Sequence, residues 1–177
     1  MTKGKRVKTI HDWGFGYKIH FSLTMTKSDD SVNKFVNLFS ILQSGSTADD
    51  GTYGDILPTV SLNPKSKALK IEAKINGITD LYKHEETLTV DKKIVVTIDY
   101  EYDLNKNNGK FVTKIDSDES KKEVTNAKPK VYEMADVYFS SPFTDSASPY
   151  VSLTDLNIVS TTPTSKYRNM CVFCFQS

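Results

Sequence analysis

The stretch Trp13-Gly14-Phe15-Gly16-Tyr17-Lys18-Ile19-His20-Phe21-Ser22-Leu23-Thr24-Met25 decides the fold class. Every odd position is apolar or aromatic and every even one is small, polar or charged. A period of two residues is that of a strand with one buried face. The same alternation returns in Leu69, Ile71, Ala73 and Ile75, set against Lys70, Glu72, Lys74 and Asn76, and again in Ile94, Val96, Ile98, Tyr100 and Tyr102. Shorter strands are expected at 35–42, 110–115, 131–140 and 151–159. Turn chemistry punctuates them: Asp50-Gly51, Asn63-Pro64, Asn76-Gly77, Asn108-Gly109 and Ser141-Pro142. No helical period is sustained over a dozen or so residues.

Amphipathic strands separated by Gly, Pro and Asn turns predict an all-β protein, an antiparallel two-sheet β-sandwich of jelly-roll type. One domain is expected over 1–160. Residues 161–177 form a tail whose apolar end, 170–175, is expected either to dock as an edge strand or to stay disordered.

The chain has 177 residues, and its 23 Lys and Arg against 22 Asp and Glu leave a net charge of +1. That balance argues against a dedicated nucleic-acid or membrane-surface binder, which needs a strong basic footprint. With 38% hydrophobic and 25% charged residues, the chain can build a core. Lys3, Lys5, Arg6 and Lys8 are followed by no signal-peptide core, and no stretch approaches the roughly 20 apolar residues of a membrane-spanning helix. No membrane insertion is expected. The basic N-terminal group is a minor candidate for binding acidic glycans, and the charged run 116–123 reads as a solvated loop.

The order of several segments resembles a laminin G-like, concanavalin A-like sandwich of animal extracellular proteins. The carriers are the Trp-containing strand at 13–23, Asn37-Leu38-Phe39-Ser40 and Gly54-Asp55-Ile56-Leu57-Pro58-Thr59-Val60. Leu69-Lys70-Ile71 with Ile75-Asn76-Gly77, Val137-Tyr138-Phe139-Ser140-Ser141-Pro142-Phe143 and Asp155-Leu156-Asn157-Ile158 follow in the same order. They cover about residues 7–160. Ile56 replaces the usual Arg of the Gly-Asp-Arg-Ile-Pro motif, and Phe143 replaces the usual Trp. The resemblance implies a secreted, non-enzymatic recognition or adhesion module that binds carbohydrate or protein. The loops 47–58 and 141–150 would form the binding rim, with Asp49, Asp50, Tyr53, Asp55, Phe143, Asp145 and Tyr150 as candidate ligand-binding residues. Such domains also hold calcium at the rim. Asp49, Asp50 and Asp55, beside Gly51 and Gly54, are the candidate Ca²⁺ ligands, with Asp80 or Asp145 completing the shell; the alternative is that these aspartates are ordinary turn residues.

Two other functions remain open on the residues. Asp99, Glu101 and Asp103 alternate along one strand and would share a face at a repeat of about 7 Å, within or near the spacing of glycosidase acid and nucleophile pairs. The blander reading has Ile98, Tyr100 and Tyr102 facing the core and the three carboxylates facing water. The glycan-cleaving alternative is therefore a glycoside hydrolase using Asp99, Glu101 and Asp103; the other alternative is a self-assembling structural subunit. His11, His20 and His84 lack ligand spacing and are expected to be solvated, and Trp13 is expected in the core. No Gly-x-Ser-x-Gly elbow or phosphate loop is present, nor is any Asn-x-Ser/Thr acceptor. Cys171 and Cys174 have neither a second pair for zinc nor a thioredoxin context, and are read as free or locally paired.

Overall fold

The computed structural model describes residues 4–13, 16–45, 57–76, 80–103, 105–128, 132–140, 149–161 and 170–171. They form twelve strands: β1 (Lys5–Trp13), β2 (Gly16–Met25), β3 (Val36–Gln43), β4 (Thr59–Asn63), β5 (Ala68–Asn76), β6 (Asp80–Thr87), β7 (Lys93–Asp103), β8 (Asn108–Ile115), β9 (Asp118–Thr125), β10 (Tyr132–Phe139), β11 (Val151–Thr161) and β12 (Met170–Cys171). The strands pair into two six-stranded antiparallel sheets. The first has the order β1-β10-β3-β4-β5-β6 and the second β12-β11-β2-β7-β8-β9. This is the expected jelly-roll sandwich, and consecutive strands repeatedly change sheet.

The sequence pattern places the core. Ile19, Phe21 and Leu23 of β2 and Val96 and Ile98 of β7 turn inward from the second sheet, and Phe39, Ile41, Val60, Leu62, Leu69 and Ile71 meet them from the first. Phe21 and Phe39 meet across the interface, with ring centroids 6.4 Å apart. Each such side chain, fully buried, contributes roughly 1.5–3 kcal/mol, so this interface dominates stability. Trp13 is 1% exposed, as expected for a core residue.

Three local expectations are corrected. The apolar stripe 13–25 is not one strand: Trp13 closes β1 in the first sheet and Gly16 opens β2 in the second. The apolar period survives because both strands face the same core, and the rings of Trp13 and Tyr17 stack at 4.8 Å. Asn108-Gly109 is not a turn but the start of β8, where Gly109 pairs with Tyr102. The left-handed residue is Asn107, at φ 55°. Gly109 is needed for space, since a Cβ there would lie 2.9 Å from the Tyr100 hydroxyl. The run 116–123 is not a solvated loop: from Asp118 onward it is β9, the edge of the second sheet. Of the eight residues of β9 only Val124 is buried, which is why its sequence carries no apolar period.

Candidate functional site

The outward face of the second sheet is built from the polar positions of β2, β7, β8 and β9. Register brings these into rows. Lys18 lies opposite Asp99, Asp99 opposite Val112, and Val112 opposite Lys121. In the next row Glu101 faces Lys110 and Lys110 faces Glu123; in the row on the other side His20, Thr97, Lys114 and Glu119 follow one another. These side chains line an open trough of about 460 Å³, which includes Lys18, Thr97, Asp99, Glu101, Lys110, Val112, Lys114, Glu119 and Lys121. A second depression of about 240 Å³ shares Glu101 and Lys110 and runs on past Asp103, Lys106, Asn108 and Glu123. The two adjoin, with Glu101 and Lys110 lining both.

Within it the charges are ordered. Lys18 Nζ is 3.1 Å from Asp99, Lys114 Nζ 2.6 Å from Glu119 and Lys121 Nζ 2.5 Å from Glu123. The hydrogen bonds from Lys114 and Lys121 hold the Glu119 and Glu123 carboxyls below the usual carboxylate range, each helped by the charge of Lys110. The three carboxylates singled out by sequence therefore part company. Asp103 caps the β7–β8 turn, accepting from the backbone N–H of Asn105 at 2.9 Å and of Lys106 at 3.2 Å. Asp99 is committed to Lys18. Glu101 is exposed and makes no ion pair or hydrogen bond among the described residues. Ile98 and Tyr100 face the core, as expected, and burial pushes the Tyr100 hydroxyl up to about 12.

His20 is exposed and sits 3.4 Å from the Thr97 hydroxyl in the trough wall. His84, expected in solvent, is instead 7% exposed between the sheets. Its Nδ1 lies 2.7 Å from Thr113 Oγ1 and its Nε2 2.6 Å from Asp118 Oδ2, while Tyr82 Oη is 2.7 Å from the same Thr113 hydroxyl. This polar chain ties β6, the edge of the first sheet, to β9 and so steadies the trough wall that carries Glu119 and Lys121. The signal was available: in β6, Tyr82 and His84 alternate with Lys83 and Glu85, which puts His84 on the core face.

The rim residues are mostly beyond reach. Asp49, Asp50, Tyr53, Asp55, Phe143 and Asp145 lie outside the described residues, as do the side chains of Asp80, Cys171 and Cys174. Among the described residues no group of three or more His, Cys, Asp or Glu is placed to hold a metal ion. Tyr150 packs at the rim, its hydroxyl donating to Asp29 Oδ2 at 3.2 Å. On the outward face of the first sheet several polar residues are buried and bonded to each other, while the pairs Lys70–Glu72 and Lys83–Glu85 are partly exposed. Asn37 donates to Ser40, and Asp136 accepts from Thr9 with Arg6 beside it.

No protein-family model matches the sequence, and no curated protein matches it either. Solved structures do share the fold. An endo-β-1,4-glucuronan lyase from the fungus Trichoderma reesei superposes with a TM-score of 0.55 at 11% identity, over 90% of this chain and 78% of the lyase. A heptameric SAP-like pentraxin from Limulus polyphemus superposes at 0.52 and 9% identity, over 88% of this chain and 72% of the pentraxin. These likenesses correct one expectation. The resemblance to adhesion modules implied a non-enzymatic protein, but a polysaccharide lyase is built on the same sandwich over nine tenths of this chain. The missing catalytic motifs are therefore no ground for excluding an enzyme. At these identities the comparisons establish the fold alone, an antiparallel two-sheet sandwich of jelly-roll type.

Proposed function

We propose that this protein cleaves a glycan laid along the trough of the second sheet, with Glu101 as the proton-transferring carboxylate and Asp99 as its partner. The observation that carries this reading is the position of Glu101. It is exposed, has no partner among the described residues, and lies where the two depressions join, so that a polymer following the trough would pass over it. Asp99 lies one strand repeat away, about 7 Å, close to the separation that carboxylate pairs use in glycoside cleavage. Lys18 holds Asp99 in place. Asp103 drops out of the site, because its Oδ1 caps a turn and its Oδ2 faces Lys106 Nζ at 3.7 Å. The glucuronan lyase supports the reading only as an instance of this sandwich acting on a polysaccharide. A secreted location, as in the laminin G-like resemblance, would suit an activity on extracellular polysaccharides.

The test is incubation with a panel of neutral and acidic polysaccharides, following both new reducing ends and the ultraviolet absorbance of unsaturated uronides. Glu101→Gln, conservative and exposed, is expected to lower the rate by roughly 10²–10⁴-fold, the usual contribution of a general acid or base, while leaving the folded spectrum intact. Wild-type protein inert toward the whole panel, or a Glu101→Gln variant as active as wild type, would refute the reading.

A further inference from the structure

We infer that the trough takes an uncharged polysaccharide, not a polyuronate, and that its reaction is hydrolysis. This rests on the reading of the trough as the glycan site. The ground is the sign pattern of its charges. Every lysine of the trough has a carboxylate as its register or strand neighbour: Lys18 beside Asp99, Lys114 beside Glu119, Lys121 between Glu119 and Glu123, and Lys110 between Glu101 and Glu123. Three of these pairs are closed ion pairs at 3.1 Å or less. Together the two depressions carry five lysines and five carboxylates, so they have no net charge to offer a polyanion. A chain with a carboxylate on every sugar would have to break these pairs and bring its own negative charges against Asp99, Glu101 and Glu119. Like charges placed face to face in an interface are strongly disfavoured.

An uncharged glycan meets the opposite situation. Each lysine and carboxylate pair sets a strong donor and a strong acceptor side by side, which suits neighbouring hydroxyls that both donate and accept. The chemistry then follows from the substrate. Elimination needs a carboxyl group at C5 to acidify the adjacent C–H, and a neutral sugar has none. Hydrolysis remains. The oxygen of a water molecule bonds to the anomeric carbon while the bond from that carbon to the bridging oxygen breaks. The leaving oxygen takes the proton of one carboxylic acid, and the other carboxylate takes the proton of the water. The two residues stand one strand repeat, about 7 Å, apart along β7, which would leave room for that water between them.

The experiment is affinity electrophoresis of the full chain through gels containing mixed-linkage β-glucan, xylan or polyglucuronate, at low and high salt, with product analysis in parallel. Expected are retardation by a neutral polymer that survives added salt, reducing ends without unsaturated product, and free passage through polyglucuronate. In the Glu119→Gln/Glu123→Gln variant, which uncovers Lys114 and Lys121, retardation by polyglucuronate should rise by about tenfold. Tighter, salt-sensitive binding of wild type to polyglucuronate, or an unsaturated product, would overturn the inference while leaving glycan cleavage standing. Failure of the double variant to gain affinity would overturn it too. A wild-type chain that neither binds nor cleaves any polymer would bring down both.

Discussion

Replacing Thr113 by Val keeps the shape of the side chain and removes one hydroxyl, and it should cost far more stability than that suggests. Thr113 is fully buried, and its Oγ1 is the hub of the chain that joins Tyr82, His84 and Asp118. One arrangement satisfies every member: Tyr82 O–H donates to Thr113, Thr113 O–H donates to His84 Nδ1, and His84 Nε2–H donates to the Asp118 carboxylate. Valine strands both the Tyr82 hydroxyl and His84 Nδ1 where water has little access, since those residues are 6% and 7% exposed. An unsatisfied buried polar group costs roughly 1–3 kcal/mol, so the single change should destabilise by about 2–4 kcal/mol, a large part of the roughly 5–15 kcal/mol holding a typical domain. Tyr82→Phe alone should cost only about 1 kcal/mol, since Thr113 still serves His84. In the double variant one stranded group is gone, so its cost should fall below the sum of the singles by about 1–2 kcal/mol. Urea unfolding followed by Trp13 fluorescence measures all three, read as midpoint shifts at constant slope. A Thr113→Val variant within about 0.5 kcal/mol of wild type, or strict additivity with Tyr82→Phe, would refute the network as a structural tie.

Two further outcomes follow from the second sheet. Gly109→Ala should destabilise by about 1–3 kcal/mol through overpacking, because the new methyl would lie 2.9 Å from the Tyr100 hydroxyl and 3.2 Å from the Ala127 Cβ; thermal unfolding reads this, and a companion Tyr100→Phe change should recover part of the loss. Burial raises Tyr100 to about 12 against an ordinary 10, so its contribution is complete below pH 10 and is lost as pH rises from there through 12. It amounts to up to about 2 kcal/mol, and Tyr100→Phe should flatten that part of the alkaline unfolding profile.

Sequence resolved what depends on one strand at a time, and missed what depends on which strands become neighbours. Ile94 to Tyr102 and Leu69 to Ile75 announce themselves because each buries one whole face, and the period of two survives any choice of partner. β9 hides because an edge strand, paired in its sheet with β8 only, buries just Val124, so nothing in its charged sequence separates it from a loop. The Asp99, Glu101 and Asp103 series was visible, yet its division into a paired acid, a partnerless acid and a turn cap was not. That division comes from Lys18 on β2 and from the backbone N–H groups of Asn105 and Lys106. The same holds for the alternating charges of the trough. Lys18, Glu101, Lys110 and Glu123 lie on four strands, and in sequence they look like the solvated exterior of any sandwich. The register, with the alternation along β9 for Lys121, sets each cation against an anion, and that pairing, rather than any single residue, is what would let the face discriminate between a neutral and an acidic polymer.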